Sequence, residues 1–263
     1  MKAISGIVRF GAVVAALMAG PSVAVAETAA SKFTCVAPPD LVRLDHPLRR
    51  TAQRLAASLP LTIVAVGSSS TSGAGASSQA MSYPSRLEVE LKALWPRAAI
   101  KIVNRGVGGE TAKEMVARFD NEVFAEQPDI VVWQVGSNSV LRDQPLAPAG
   151  ELIRDGLRRL KSAGADVILM NPQYAPKVIA KHDAELMVDL IGRAAKEAKV
   201  DLFQRFAVMR YWRLTENIPF DVFVSPDELH MNDWSYGCVA KLLAGAIADA
   251  AQRSTQTAGA AAR

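Results

Sequence analysis

The chain has 263 residues, 50% of them hydrophobic and 21% charged, with a formal net charge of +4. That is enough to bury a substantial core in one large α/β domain without help from a metal or many disulfides. The charge is modest and no Arg/Lys cluster carries interleaved aromatics, so nucleic-acid binding is excluded as a reading.

The first residues read as an address. Lys2 and Arg9 precede a short apolar run over 10–19, and Ala24-Val25-Ala26 follows. A basic, apolar, A-x-A order describes a secretory signal peptide, here with cleavage after Ala26 and a periplasmic or secreted product; an uncleaved N-terminal anchor is the alternative. The run is short of the roughly 20 residues a membrane span needs, and no later stretch reaches that length, so no stable membrane insertion is expected after cleavage. Loss of Lys2 and Arg9 would lower the formal charge from +4 to +2. Residues 27–60 form an N-terminal arm containing Cys35. In an oxidising compartment Cys35 and Cys238 are candidates to pair, or else they are two buried thiols. No CxxC or Cys/His spacing points to a metal or redox centre.

From residue 61 strands and helices alternate. Leu61–Val66 is a continuous apolar run ending at Gly67, as expected of a strand covered on both faces. Pro84–Trp95 follows with Leu87, Leu91 and Leu94 on one stripe. Ile100–Val103 is a second strand, ending at Asn104-Arg105-Gly106, and Thr111 is a plausible N-cap for a helix over Thr111–Phe124. Asp129–Val135, Asp166–Met170 and a weaker Val200–Phe203 complete five strands. Helical spacing recurs over Ala149–Ala163, Asp183–Ala198 and Asn232–Ala250. This alternation implies a parallel sheet with helices on both faces. Ser68–Ser82, rich in Ser, Gly and Ala, reads as loop, and the tail over 251–263 as frayed.

Ligands of an open α/β sheet sit beyond the carboxyl ends of its strands, and there the chain is polar. Gly67-Ser68-Ser69-Ser70-Thr71 ends the first strand; a serine there stands at the mouth of the sheet, and spacing alone does not choose among the three. Gly108-Gly109, at a helix start, offers backbone N–H groups suited to an anion. Asn138 offers a side-chain amide after the third strand. Asp227 and His230 lie about one helical turn apart, so the carboxylate can orient the imidazole. His46 lies in the arm and His182 opens a helix, which leaves His230 as the candidate base. Neither GxGxxG nor GxxxxGK[ST] is present, so nucleotide binding is the weaker reading. Tyr174, just past the fourth strand, is a candidate cleft residue. Arg205, Arg210 and Arg213 lie near one another in the sequence, and a solvated face explains them as well as an anionic ligand does.

Four segments in order, GSSSTSG (67–73), NRGVGGET (104–111), GSNS (136–139) and DELH (227–230), resemble the SGNH (GDSL-like) hydrolase superfamily over residues 61–250. The resemblance implies a flavodoxin-like three-layer α/β/α sandwich around a five-stranded parallel sheet. It implies Ser69 as nucleophile, with Ser70 the minor alternative, His230 as base and Asp227 as its orienter. The backbone of Ser69 and Gly109 and the amide of Asn138 would form the oxyanion hole. Ser68 and Ser139 stand where the family usually carries Asp, which puts the holding of the nucleophile turn and the Asn138 loop in question. The implied function is exported hydrolysis of carboxylic esters on a small molecule or glycan, with short acyl groups favoured by the small side chains of residues 70–82 and no metal or organic cofactor. A non-catalytic ligand-binding module and an O-acyltransferase using the same triad are the competing readings.

Overall fold

The computed structural model describes residues 32 to 261, with side chains as far as Ser254; the signal-peptide reading lies outside that range. Five strands, β1 (Leu61–Gly67), β2 (Ile100–Gly106), β3 (Ile130–Gln134), β4 (Asp166–Met170) and β5 (Asp201–Phe203), form one sheet in the order β2-β1-β3-β4-β5. Every pairing is parallel. The chain leaves β1 toward both edges, so right-handed crossovers place helices on both faces, the flavodoxin-like arrangement. Among the described residues no helix is long and apolar enough to cross a membrane.

On one face lie α1 (Arg49–Ala56), α2 (Tyr83–Leu94) and the long α7 (Asp233–Ala261). On the other lie α3 (Ala112–Ala117), α4 (Leu146–Ser162) and α5 (Ala184–Ala198), while α6 (Arg205–Leu214) follows β5. Successive strand residues point to opposite faces. Val64, Val66, Val131, Trp133, Val167 and Leu169 therefore share a core with Met115 of α3, Ile153 and Leu157 of α4, and Met187 and Ile191 of α5. All are buried, and each contributes about 1.5–3 kcal/mol by leaving water. Because β3 is covered on both faces, it is buried along its whole length, which explains the unbroken apolar run rather than an alternation.

Three elements differ from expectation. β2 continues through Asn104-Arg105-Gly106, which pair with Ala65, Val66 and Gly67; ladder bonds are made by backbone, so polar side chains on an edge strand do not end it. The Ser-rich stretch is not all loop. Ser69–Ser72 form a helical turn directly after β1, because the Ser68 carbonyl accepts the N–H groups of Thr71 and Ser72, both at 3.0 Å. Serine is poor inside helices but suits their first turn. Finally, α7 runs beyond residue 250, with Ala251 and Ser254 still buried.

The chain from Thr34 onward folds as one unit, which includes the arm from that residue on. At the amino ends of β3, β4 and β5 stand Asp129, Asp166 and Asp201, and each holds part of the arm. Arg50 Nε donates to Asp129 at 2.8 Å, the N–H and hydroxyl of Thr51 donate to Asp166 at 2.9 and 2.8 Å, and the N–H of His46 donates to Asp201 at 2.8 Å. Burial pushes the carboxyls of Asp166 and Asp201 up, against the hydrogen bonds from Thr51 and His46. Cys35 and Cys238 form a disulfide with Cα atoms 5.4 Å apart, joining the arm to α7.

Candidate active site

The serine that β1 delivers is set by its neighbours. Ser68 donates both its backbone N–H and its hydroxyl to Gln134 Oε1, each at 3.0 Å, and Thr71 Oγ1 reaches the same oxygen at 3.3 Å. Gln134 ends β3 and is fully buried. The turn that carries Ser69 is thus tied to the adjacent strand, and Ser68 makes these bonds at the position where the related pattern carries Asp. Behind it, Asn104 Nδ2 donates to the Thr71 carbonyl at 2.8 Å. Ser70 is buried, whereas the Ser69 hydroxyl lies 2.8 Å from His230 Nε2.

His230 comes from the segment between the short helix Phe220–Phe223 and α7. Its Nδ1 lies 2.5 Å from Asp227 Oδ2. A carboxylate only accepts, so Nδ1 carries the ring proton and Nε2 is left to accept from Ser69. Asp227 Oδ1 accepts from Ser225 Oγ at 2.6 Å and from the N–H groups of Leu229 and His230, both at 2.9 Å. Partial burial pushes the Asp227 carboxyl up, but these bonds and that of the His230 ring outweigh it and hold it well below the usual carboxylate range. The other histidines do not compete: His46 is bound to Asp201, and the side chain of His182 is almost fully exposed.

The candidate oxyanion donors come from three strand ends. The N–H of Ser69 opens a helical turn, where the first donors have no acceptor within the helix. Gly109 has φ +82°, a left-handed conformation that a side chain would strain. Its carbonyl accepts from Arg142 Nη2 at 2.6 Å, and the next carbonyl, of Glu110, accepts from Asn138 Nδ2 at 2.8 Å. Two bonds therefore lock the 107–110 loop to the turn that carries Asn138. Thr111 and Glu114 form a capping box that starts α3 at the end of that loop.

The structure brings Ser69, His230, Asp227 and the Asn138–Glu110 pair to the carboxyl-end rim. Tyr174 stacks on Phe220 at 6.0 Å, meets Phe206 edge-on at 5.1 Å, and lines a cavity of about 460 Å³ with Ile179, Lys181, Glu185 and Phe206. The reading of the three arginines as a solvated face is corrected for Arg205, which is fully buried; Arg210 pairs with Glu185 at 3.5 Å and Arg213 lies over the Phe220 ring. Sequence reasoning passed over Gln134, Gln173, Ser225 and Gly75. A glutamine inside the apolar run DIVVWQV was the one available signal for Gln134. Gly75, at φ +87°, packs so closely that a Cβ would lie 2.4 Å from the Met231 carbonyl oxygen and 2.8 Å from His230 Cβ.

Comparison with known proteins bears on the family and the fold. The model of the Non-GDSL lipase-like family matches residues 34–253. Among curated proteins, an acetylxylan esterase of Geobacillus stearothermophilus is 29% identical over 120 residues, 41% of this chain and 53% of that protein. An arylesterase of Vibrio mimicus is 23% identical over 107 residues, again 41% of this chain and 53% of the relative. The chain thus spans about half the length of the curated relatives it matches. Among solved structures, a two-domain esterase active on acetylated mannans superposes with a TM-score of 0.70 at 22% identity, covering 81% of this chain and 57% of that one. The acetylxylan esterase of Geobacillus stearothermophilus gives 0.61 at 19% identity, covering 71% and 94%. These similarities establish an SGNH-type fold.

Proposed function

We propose that this chain, which belongs to the Non-GDSL lipase-like family, is a serine esterase that hydrolyses short acyl esters, with acetyl groups on carbohydrate as the preferred class. One observation carries the reading: Ser69 Oγ, the His230 ring and the Asp227 carboxylate are joined in a line by bonds of 2.8 and 2.5 Å. A hydroxyl is a weak nucleophile until a base takes its proton, and the base bonded to it here is an imidazole already oriented by a carboxylate.

In the first step Ser69 Oγ attacks the ester carbonyl and its proton passes to His230 Nε2. Asp227 stabilises the imidazolium so formed. The N–H groups of Ser69 and Gly109 and the amide of Asn138 hold the oxyanion. His230 then gives its proton to the departing alcohol, leaving an acyl-serine. Water attacks this ester, passing its proton to His230, and the acid leaves as Ser69 regains its hydrogen. Every proton has a named donor and acceptor, and the sequence of steps calls for no metal or organic cofactor. The acetyl preference draws on the relatives, two of which act on acetylated xylan or mannan by their names, and on the small side chains of residues 72–78. The basic, apolar, A-x-A start of the chain supports export to the periplasm or beyond.

The test is a set of p-nitrophenyl esters from acetate to octanoate, with acetylated xylan and mannan, assayed on wild type and Ser69→Ala. Acetate turnover that disappears in the variant is expected. Wild-type rates in Ser69→Ala would refute the assignment of the nucleophile, and faster turnover of octanoate than acetate would refute the acyl preference.

A further inference from the structure

Arg205 opens α6 and is fully buried, and among the described residues no carboxylate forms an ion pair with it. Tyr83 and Tyr236 are the ionisable groups nearest in effect, and one of its nitrogens, Nη1, has no hydrogen-bond partner. A buried cation left this way is costly, and an apolar residue would fill the position more cheaply. Its retained contacts show what it does. Nε donates to the Asn171 carbonyl and Nη2 to Gln173 Oε1, both at 3.0 Å.

Gln173 is itself buried and touches both halves of the site. Its Oε1 also accepts from Ser137 Oγ at 2.8 Å, and its Nε2 donates to the Leu229 carbonyl at 3.1 Å. Ser137 precedes Asn138, and Leu229 precedes His230. Two donors converging on one amide oxygen, one of them charged, settle which end of the amide is oxygen. The nitrogen is then fixed toward Leu229.

We propose that Gln173, oriented by Arg205, is a positioning residue that holds the His230 loop and the Asn138 turn at a fixed separation; neither side chain touches substrate. The inference rests on the esterase reading of the same site. It also gives the buried charge a reason to be there, since a neutral residue at position 205 would leave the amide oxygen with Ser137 Oγ as its one remaining donor among the described residues.

The informative variant is Gln173→Glu. A carboxylate keeps acceptors for Ser137 and Arg205 and pairs with the latter, but has no donor for Leu229. The expected result is a folded protein whose kcat for p-nitrophenyl acetate falls about tenfold or more, since small misplacements of reacting groups cost that much. KM should stay within about twofold, the pattern of a lost transition-state interaction, and labelling of Ser69 by a fluorophosphonate should slow in parallel. If Gln173→Glu does not fold, Ser137→Ala decides, with a kcat loss of about threefold or more expected at unchanged KM. A folded variant whose kcat and labelling rate match wild type overturns the inference. Wild type that neither hydrolyses esters nor labels overturns the esterase reading on which it stands, so the two failures are told apart.

Discussion

The main-chain N–H and the ring of His230 bond to the same carboxylate: the N–H reaches Asp227 Oδ1 at 2.9 Å and Nδ1 lies 2.5 Å from Oδ2. One side chain therefore sets both where the histidine sits and which tautomer it holds.

Asp227→Asn separates these two effects. The amide oxygen can keep the backbone bonds, but its NH₂ cannot accept from Nδ1, so the ring adopts the tautomer that cannot take the serine proton. We expect kcat to fall by about 10³–10⁴ with KM nearly unchanged. The sign of the pH effect follows from the depressed Asp227 carboxyl. Its contribution to stability is complete above the unfolded value of about 3.9 and is lost as pH falls through the lower folded value. Thermal melts of wild type and Asp227→Asn should differ by a constant amount from neutral pH down to mild acid and converge in strong acid. Asp227 itself stays ionised in mild acid.

Asn138→Ala removes one of the proposed oxyanion donors and the bond to the Glu110 carbonyl. Loss of a single such donor costs about 2.7–4 kcal/mol of transition-state stabilisation. Steady-state kinetics should show a kcat reduction of about 10²–10³ with little change in KM. An equal rise in KM would instead mean that the amide binds the ground state.

Gly75→Ala tests the close packing behind the base. The added methyl meets the Met231 carbonyl and His230 Cβ, and the backbone there is left-handed. We expect a destabilisation of about 1–3 kcal/mol and a fall in kcat larger than in a control substitution at exposed Ser78. Urea denaturation beside p-nitrophenyl acetate kinetics measures both.

Reduction, or the pair Cys35→Ser and Cys238→Ser, frees a bridge that spans 203 residues of sequence. A loop of that size implies about 2–5 kcal/mol of stability. The urea midpoint should fall accordingly. Activity at low temperature should persist, because neither cysteine is among the residues bonded to the triad.

Much of the fold was legible in the residues alone. Strands such as β3 announced themselves because burial on both faces demands an unbroken apolar run, and α5 because Met187, Leu190, Ile191 and Ala194 repeat with the helical period. The candidates Ser69, Asp227 and His230 were singled out by the order of four short blocks, each weak alone, and the structure brings their side chains within hydrogen-bond distance of one another. What stayed hidden was what holds them. Gln134, Gln173 and Arg205 act through partners 32 to 66 residues away in sequence, and a glutamine or arginine carries no local pattern saying that it is buried. Arg205 shows this: nothing in its sequence neighbourhood separates a solvated arginine from one that the packing beside β4 and β5 turns inward.

The three aspartates that grip the arm lie at the amino ends of β3, β4 and β5, at the opposite rim from the triad. Clamp and candidate site thus occupy different poles of one sheet, so substitutions in the loops at the serine pole leave the bonds by which Asp129, Asp166 and Asp201 fasten the arm beneath them untouched.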